Sequence, residues 1–286
     1  MKNTKKKKRR PILITLFVLL IVFFVWVYWS NTSIQTTMIG ISSDKIPKNF
    51  NGFIIAQVSD LHNAAFGTHQ SRLLDAVKEV SPDFIAVTGD LIDSSHTDVV
   101  KAMEFISGAV EIAPVYYITG NHEAWSEQYA ELKQQMLEAG VVILDDEGTT
   151  IKYNGASVQL FGLSDPDFTA AYDSSESAAM IDKKLKAMLH ENDKYTILLS
   201  HRPELFDVYA ANKINLVLSG HAHGGQVRIP FIGGLAAPNQ DFFPKYTEGV
   251  HKKGVTNMVV SRGLGNSIIP VRINNRPELV VLTLVP

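Results

Sequence analysis

Two hydrophobic patterns divide the chain. The first is an unbroken run from Pro11 to Trp29 (PILITLFVLLIVFFVWVYW), with no charged residue and with Thr15 as its one clearly polar position. As a helix rising 1.5 Å per residue it would span about 28 Å, close to the roughly 30 Å hydrocarbon thickness of a bilayer. The second pattern starts at Phe53, where short β-branched or aromatic runs alternate with amphipathic stretches in the manner of stacked β–α units. It predicts strands at Phe53 to Val58, Phe84 to Thr88, Val115 to Thr119, Val141 to Leu144, Thr196 to Leu199 and Leu216 to Leu218. Leu73, Leu74, Val77 and Val80 share one helical face, as do Val99, Met103 and Ile106, and later Ile181, Leu185, Met188 and Leu189. Asn154-Gly155, a turn dipeptide between strand-like runs, predicts a β-hairpin, and Val255 to Val260 and Leu279 to Leu284 are again β-rich. Residues 30–51 are mostly polar, lack strong periodicity and contain Pro47, which predicts a short tether. The expected organisation is a basic segment at 1–10, a membrane-spanning anchor at 11–29, the tether, and an α/β domain of layered sheets with helices outside at 52–286.

Charge sharpens the first half of that picture. Lys2, Lys5, Lys6, Lys7, Lys8, Arg9 and Arg10 all precede the first acid, Asp44. Such a cluster is expected to stay in the cytoplasm, with Trp26, Tyr28 and Trp29 at the far interface and the domain outside the cell membrane. A cleaved secretory signal is the alternative, but the apolar run exceeds a usual signal core and Ser30-Asn31-Thr32-Ser33 offers no small-x-small cleavage pattern. Arg9-Arg10-Pro11 also loosely resembles a twin-arginine export signal, although paired arginines in a basic run commonly form the positive flank of an anchor. With those seven set aside from the 27 basic residues, 20 remain against 29 acids, a formal charge of −9. Binding a nucleic acid backbone needs clustered Lys and Arg, so no nucleic acid partner is expected. The chain has no cysteine, so any metal must be held by nitrogen and oxygen ligands.

Five of the predicted strands end alike, in FIIAQVSDLH, FIAVTGDLID, VYYITGNHE, TILLSHRP and LVLSGHAH. Each delivers Asp, Asn or His just beyond the strand, and ligands of open α/β sheets bind in the crevice at these carboxyl ends. Singly, a Gly-Asp after a strand is a turn and a lone His an ordinary hydrogen-bonded residue; nothing structural requires five such ends together. Carboxylates, imidazoles and an amide without sulfur suit borderline divalent ions such as Mn²⁺, Fe²⁺ or Zn²⁺. Asp60, His62, Asp90, Asn121, His201, His221 and His223 exceed the needs of one ion that keeps open positions for water and substrate, and two ions sharing a carboxylate fit better. Arg262 and Arg272 are candidates for substrate phosphate, which Arg can grip with paired hydrogen bonds. Asp165 and Asp167, in Ser-Asp-Pro-Asp, read as a loop.

The motifs DLH (60–62), GDLID (89–93), GNHE (120–123), the strand-end His201 and GHAH (220–223) together resemble the full signature of the calcineurin-like metallophosphoesterases, in order and without departure at a ligand position. GGQVRIP at 224–230, SRGLG at 261–265 and PVR at 270–272 are similar to a membrane-associated bacterial branch, the YaeI and YkuE type of phosphodiesterase. The resemblance implies a two-sheet β-sandwich flanked by helices in four αββα layers, with Asp60, His62 and His223 on one ion, Asn121, His201 and His221 on the other, and Asp90 bridging. It also implies that His122 stabilises or protonates the leaving group and that Asp93 orients His122. The expected activity is hydrolysis of a phosphodiester or pyrophosphate by a metal-bridging hydroxide, on a lipid-linked or cell-envelope substrate. A broad phosphomonoesterase shares this chemistry; a non-catalytic metal-binding scaffold would lack ligands or the acid, and all are present. The apolar segment from Phe231 to Phe243, with Phe231, Ile232, Leu235, Phe242 and Phe243, is expected to border the site, either folded onto the core or turned to the bilayer.

Overall fold

The computed structural model describes residues 4–169, 174–189, 194–267 and 270–286. Lys2, in the basic segment, lies outside the described residues. Helix α1 (Thr4–Thr32) includes a 22-residue stretch, Pro11–Thr32, long and apolar enough to cross a membrane, whose apolar core is not buried against the domain. After it come strands β1 (Gln35–Ser42), β2 (Ile54–Val58), β3 (Phe84–Thr88), β4 (Val115–Ile118) and β5 (Val142–Ile143). Then follow β6 (Gly148–Tyr153), β7 (Ala156–Gly162), β8 (Thr196–Leu199), β9 (Leu216–Ser219), β10 (Arg228–Ile229), β11 (Gly233–Gly234), β12 (Gly249–Lys253), β13 (Thr256–Val260) and β14 (Glu278–Val285). One six-stranded sheet has the order β1-β14-β2-β3-β4-β5, the other β12-β13-β9-β8-β7-β6, and β10 and β11 form a small antiparallel ribbon.

Helices α2 (Ser71–Glu79), α3 (Val99–Val110), α4 (Asn121–Trp125) and α5 (Tyr129–Glu138) follow strands of the first sheet, and α6 (Ser174–Met188) and α7 (Phe206–Ala211) strands of the second. The layers follow from side-chain alternation along strands. In β3, Ile85 and Val87 pack with Leu73, Val77, Phe105 and Ile106 of the helices, whereas Phe84 and Ala86 join Leu160, Ile197, Leu199 and Leu218 between the sheets. A strand covered on both faces needs apolar residues throughout, and every residue of β3, β8 and β9 is buried. On the far side, Leu198 and Val217 pack with Ile181, Leu185, Phe206 and Tyr209. The architecture is therefore the expected αββα sandwich. The hairpin forms between β6 and β7, with Asn154 and Gly155 at φ 47° and 83°, the left-handed pair a two-residue turn requires.

The segment expected as a tether differs from that reading. Its first residues complete α1, and Gln35–Ser42 is a strand paired in parallel with all eight residues of β14. As an edge strand β1 alternates half-buried with exposed positions, a weaker signal than a core strand gives. Pro47 precedes a single 3₁₀ turn whose Phe50 is buried between the sheets. The end of α1 is also fastened to the domain. Asn31 Nδ2 donates to the carbonyl of Arg272 at 2.9 Å while its Oδ1 accepts the Arg272 N–H at 2.7 Å. The Arg276 guanidinium lies 4.8 Å over the Trp29 ring and donates to Ser33 and Ile34.

Candidate active site

Strands β2, β3 and β4 of one sheet and β8 and β9 of the other run in parallel within their sheets, so their carboxyl ends open on a common edge. Asp60 and His62 follow β2, Asp90 and Asp93 follow β3, Asn121 and His122 start α4 after β4, His201 follows β8, and His221 and His223 follow β9. Asp60, His62, Asp90, His221 and His223 all hold left-handed backbone, at φ 52°, 45°, 53°, 67° and 46°. For non-glycine residues that conformation is costly, on the order of 1–3 kcal/mol each, and concentrates at functional sites. Gly89 lets the turns approach: a Cβ on it would sit 2.6 Å from Gly120 N and 2.7 Å from His201 Nδ1.

The side chains meet at Asp90. Its Oδ2 is 3.1 Å from His201 Nε2 and 3.5 Å from His62 Nε2, and His221 completes one potential metal-holding group while Asp60 and His223 complete another. Asp90 belongs to both groups. Its Oδ1 accepts the His122 N–H at 2.8 Å, and Asp60 Oδ1 accepts the His221 N–H at 2.9 Å, which fixes both carboxylates. His201 Nδ1 donates to the Thr88 carbonyl at 2.7 Å, which turns Nε2 toward Asp90. Asn121 Oδ1 is buried without a hydrogen-bond partner among the described residues, and His201 Nε2 has the Asp90 carboxylate beside it. Buried polar atoms are normally satisfied, so Asn121 Oδ1 calls for a ligand atom. Burial holds His221 and His223 well below the usual imidazole range, helped by Arg202 and His201 for the first and by His62 and Arg272 for the second. Neutral imidazoles are what a divalent ion needs. Burial also opposes charge on His201, yet the adjacent Asp90 carboxylate outweighs it and pushes that ring up to about 10. The pocket thus draws positive charge toward Asp90.

A cavity of about 270 Å³ opens over Asp90, Asn121, His221 and His223, with His122, Trp125, Arg202 and Ser267 also in its walls. His122 Nδ1 accepts the Ser94 N–H at 3.0 Å, so the ring carries its proton on Nε2, 3.1 Å from Ser267 Oγ. Asp93 is nearer to His62 than to His122, 3.6 Å against 3.8 Å, and the adjacent His62 imidazole, against the opposing effect of burial, holds its carboxyl down to about 2. The group in hydrogen-bond contact with His122 Nδ1 is therefore the backbone of Ser94, and Asp93 accepts from the Ser95 N–H at 2.8 Å.

Neither arginine expected to hold phosphate lines the cavity. Arg272 is fully buried and donates to the carbonyls of Arg262 and Gly265 and to Asn266, with Nη2 3.3 Å from His223 Nδ1. Arg262 is paired with Glu278 at 3.0 Å. Both are bound into the fold outside the cavity wall, and the arginine at the cavity is Arg202, just after His201 in Ser-His-Arg-Pro. Arg202 is held by both oxygens of buried Asp165, at 2.6 and 2.7 Å, and by Asp167 at 3.0 Å, so the Asp-Pro-Asp loop is an anchor for the site wall. Glu123 was equally hidden. Its carboxylate accepts the N–H groups of Gly120, Asp90, Leu91 and Ile92 at 2.7 to 3.2 Å, tying the β3 and β4 turns together. Burial and the Asp90 charge push it up to about 7. Its place three residues after the Gly that opens α4 is the signal, since an acid there reaches back to free helix N–H groups.

The family of calcineurin-like phosphoesterases matches residues 53–225, more than half of the chain and all seven candidate ligands. The chain belongs to that family. Among relatives of this phosphoesterase, the metallophosphoesterase YkuE of Bacillus subtilis strain 168 is 30% identical over 264 residues, 88% of this chain and 85% of the relative. The phosphodiesterase YaeI of Escherichia coli K12 is 29% identical over 240 residues, 82% of each. A transmembrane protein with a metallophosphoesterase domain from Bos taurus is 27% identical over 259 residues, 87% of this chain and 56% of that protein. Membership makes the chain a phosphoester hydrolase, and the Asp90-centred groups are its potential metal site.

Proposed function

We infer that this phosphoesterase is a membrane-anchored binuclear enzyme that hydrolyses a phosphodiester or pyrophosphate of a lipid-linked or cell-envelope substrate. The observation that carries the reading is Asp90, one carboxylate oxygen of which faces an imidazole from each of the two ligand groups. Asp60, His62 and His223 would hold one ion and Asn121, His201 and His221 the other, with Asp90 shared. The buried, unpartnered Asn121 Oδ1 fits that ligand set. Oxygen and nitrogen donors suit Mn²⁺, Fe²⁺ or Zn²⁺. Two such ions, when bound, lower the pKa of water and stabilise charge building on phosphorus.

The chain's own residues supply the rest. His122, with its Nε2–H toward Ser267 and the cavity, is placed to hydrogen-bond a leaving oxygen and to pass it the proton. Arg202, clamped by Asp165 and Asp167, shapes the opposite wall. The apolar helix, the basic cluster before it and the relatives' membrane naming support an anchor with the domain outside.

The test is turnover by the purified chain, stripped of metal and reloaded with Mn²⁺, Zn²⁺ or Mg²⁺, on matched mono- and diesters of p-nitrophenol and on nucleotide-sugar diphosphates. Diester or pyrophosphate hydrolysis restored by metal, and lost together with metal content in Asp90→Asn, is expected. Full occupancy and normal rate in that variant would refute the shared carboxylate, and faster monoester turnover would make the enzyme a phosphomonoesterase.

A further inference from the structure

The segment beyond His223 projects an apolar tip away from the domain. Phe231, Ile232, Phe242 and Phe243 are 109%, 65%, 75% and 60% exposed, so the reading in which this segment folds onto the core fails for these four. They are not on loose chain. Arg228 and Ile229 pair with Gly234 and Gly233, Leu235 N donates to Val227 at 2.8 Å, and Phe243 N donates to Leu235 at 2.9 Å. Phe231 and Phe243 hold left-handed backbone at φ 67° and 57°, which for a bulky side chain costs about 1–2 kcal/mol. The fold thus spends ordered, strained backbone on presenting side chains that stay mostly exposed.

The place of this tip says what covers it. Asn31, in the last turn of α1, is hydrogen-bonded to Arg272, and the next residue, Ile273, bridges to Val227 and accepts the Arg228 N–H at 3.0 Å. Phe231 is three residues past Arg228, a reach of at most about 10 Å. The apolar tip is therefore linked, through Arg228, Ile273 and Arg272, to the end of the helix proposed to leave the bilayer, where the Arg276 guanidinium lies over the Trp29 ring. The same segment supplies Pro238 and Asn239 to the cavity wall, and Asn266, bonded to Asn31, precedes the wall residue Ser267.

We propose that Phe231, Ile232, Phe242 and Phe243 insert into the bilayer interface beside the exit of α1 and hold the cavity mouth against the lipid headgroups. Aromatic and aliphatic side chains presented together bind such an interface through buried apolar area. A substrate phosphate carried on an acyl chain would then reach the candidate metal site without leaving the membrane, whereas a soluble ester gains nothing from the tip. The inference rests on the membrane-anchor reading.

Because the chain has no cysteine, single substitutions give unique labels. Nitroxides are placed at Phe231→Cys, Ile232→Cys, Phe242→Cys and Phe243→Cys of the full chain in vesicles of phosphatidylethanolamine and phosphatidylglycerol. Collision rates with oxygen and with a water-soluble nickel chelate then report depth. Val22→Cys in α1 tests the anchor, and Val255→Cys, at the start of β13 and so at the sheet end opposite the site, is the aqueous control. The expected result is bilayer-like accessibility at the four tip positions and at Val22, with Val255 water-like. A buried Val22 label with water-like tip positions would overturn this inference alone, while a water-like Val22 label would overturn the anchor. Tip labels immobilised only at raised protein-to-lipid ratio would make the patch a contact between copies, which also overturns it. In the activity arm, Phe231→Ser with Ile232→Ser should lower hydrolysis of vesicle-bound hexadecyl p-nitrophenyl phosphate about tenfold and leave soluble methyl p-nitrophenyl phosphate within about twofold. Equal losses on both esters would count against a lipid-facing tip.

Discussion

At the scale of single residues, His122 carries the sharpest test of the chemistry. Its Nδ1 accepts from Ser94 and its Nε2 faces Ser267, while the ring packs edge-on against His62 at 4.4 Å, so the proposed role with the reacting oxygen has to be separated from coordination. His122→Ala should keep metal content by elemental analysis while kcat falls about 10² to 10⁴-fold, the usual contribution of a positioned acid. Metal loss equal to that of His201→Ala would make it a ligand. The ligand types were legible because each follows a strand in a short motif. Roles set across space were not: Arg262, Arg272 and Arg202 look alike in sequence. Only their partners, Glu278, the carbonyls of Arg262 and Gly265, and the Asp165–Asp167 loop, separate two structural arginines from the one at the cavity.

At the scale of elements, the buried strands were legible because covering both faces demands unbroken apolar runs, whereas β1 and β12 sit at sheet edges and carry mixed residues. β1 matters despite its weak pattern, since it closes the exposed side of β14 and contributes Ile41 to the core between the sheets. A chain beginning at Ile34 should therefore fold and remain monomeric in size-exclusion chromatography. One beginning at Lys45 loses the burial of Ile41 and uncovers β14, and should be less stable by about 2–3 kcal/mol, a fall of roughly 5–10 °C in Tm, and prone to self-association. Equal melting temperatures for the two would mean that β1 is dispensable.

For the whole molecule, the seven N-terminal positive charges and the apolar run after them predict a single orientation. An alkaline phosphatase fused after Pro286 should be active in cells, and a fluorescent reporter that matures only in the cytoplasm should stay dark. The opposite pair of outcomes would remove the envelope substrate and the outer-leaflet position of the tip together. The α/β class with helices outside layered sheets, the strand ends that carry ligands and the anchor candidate follow from local rules of periodicity, hydropathy and residue type, which act within a few neighbours along the chain; the two-sheet αββα arrangement followed only from the family resemblance. Tertiary structure alone decided that Asp90 stands between two imidazole sets, that Arg202 and not Arg272 faces the cavity, and that α1 is bonded through Asn31 to the loop beside the site. Those facts join residues from 28 to 241 positions apart, and a side chain's partners across such distances depend on how the sheets pack, which no local pattern encodes.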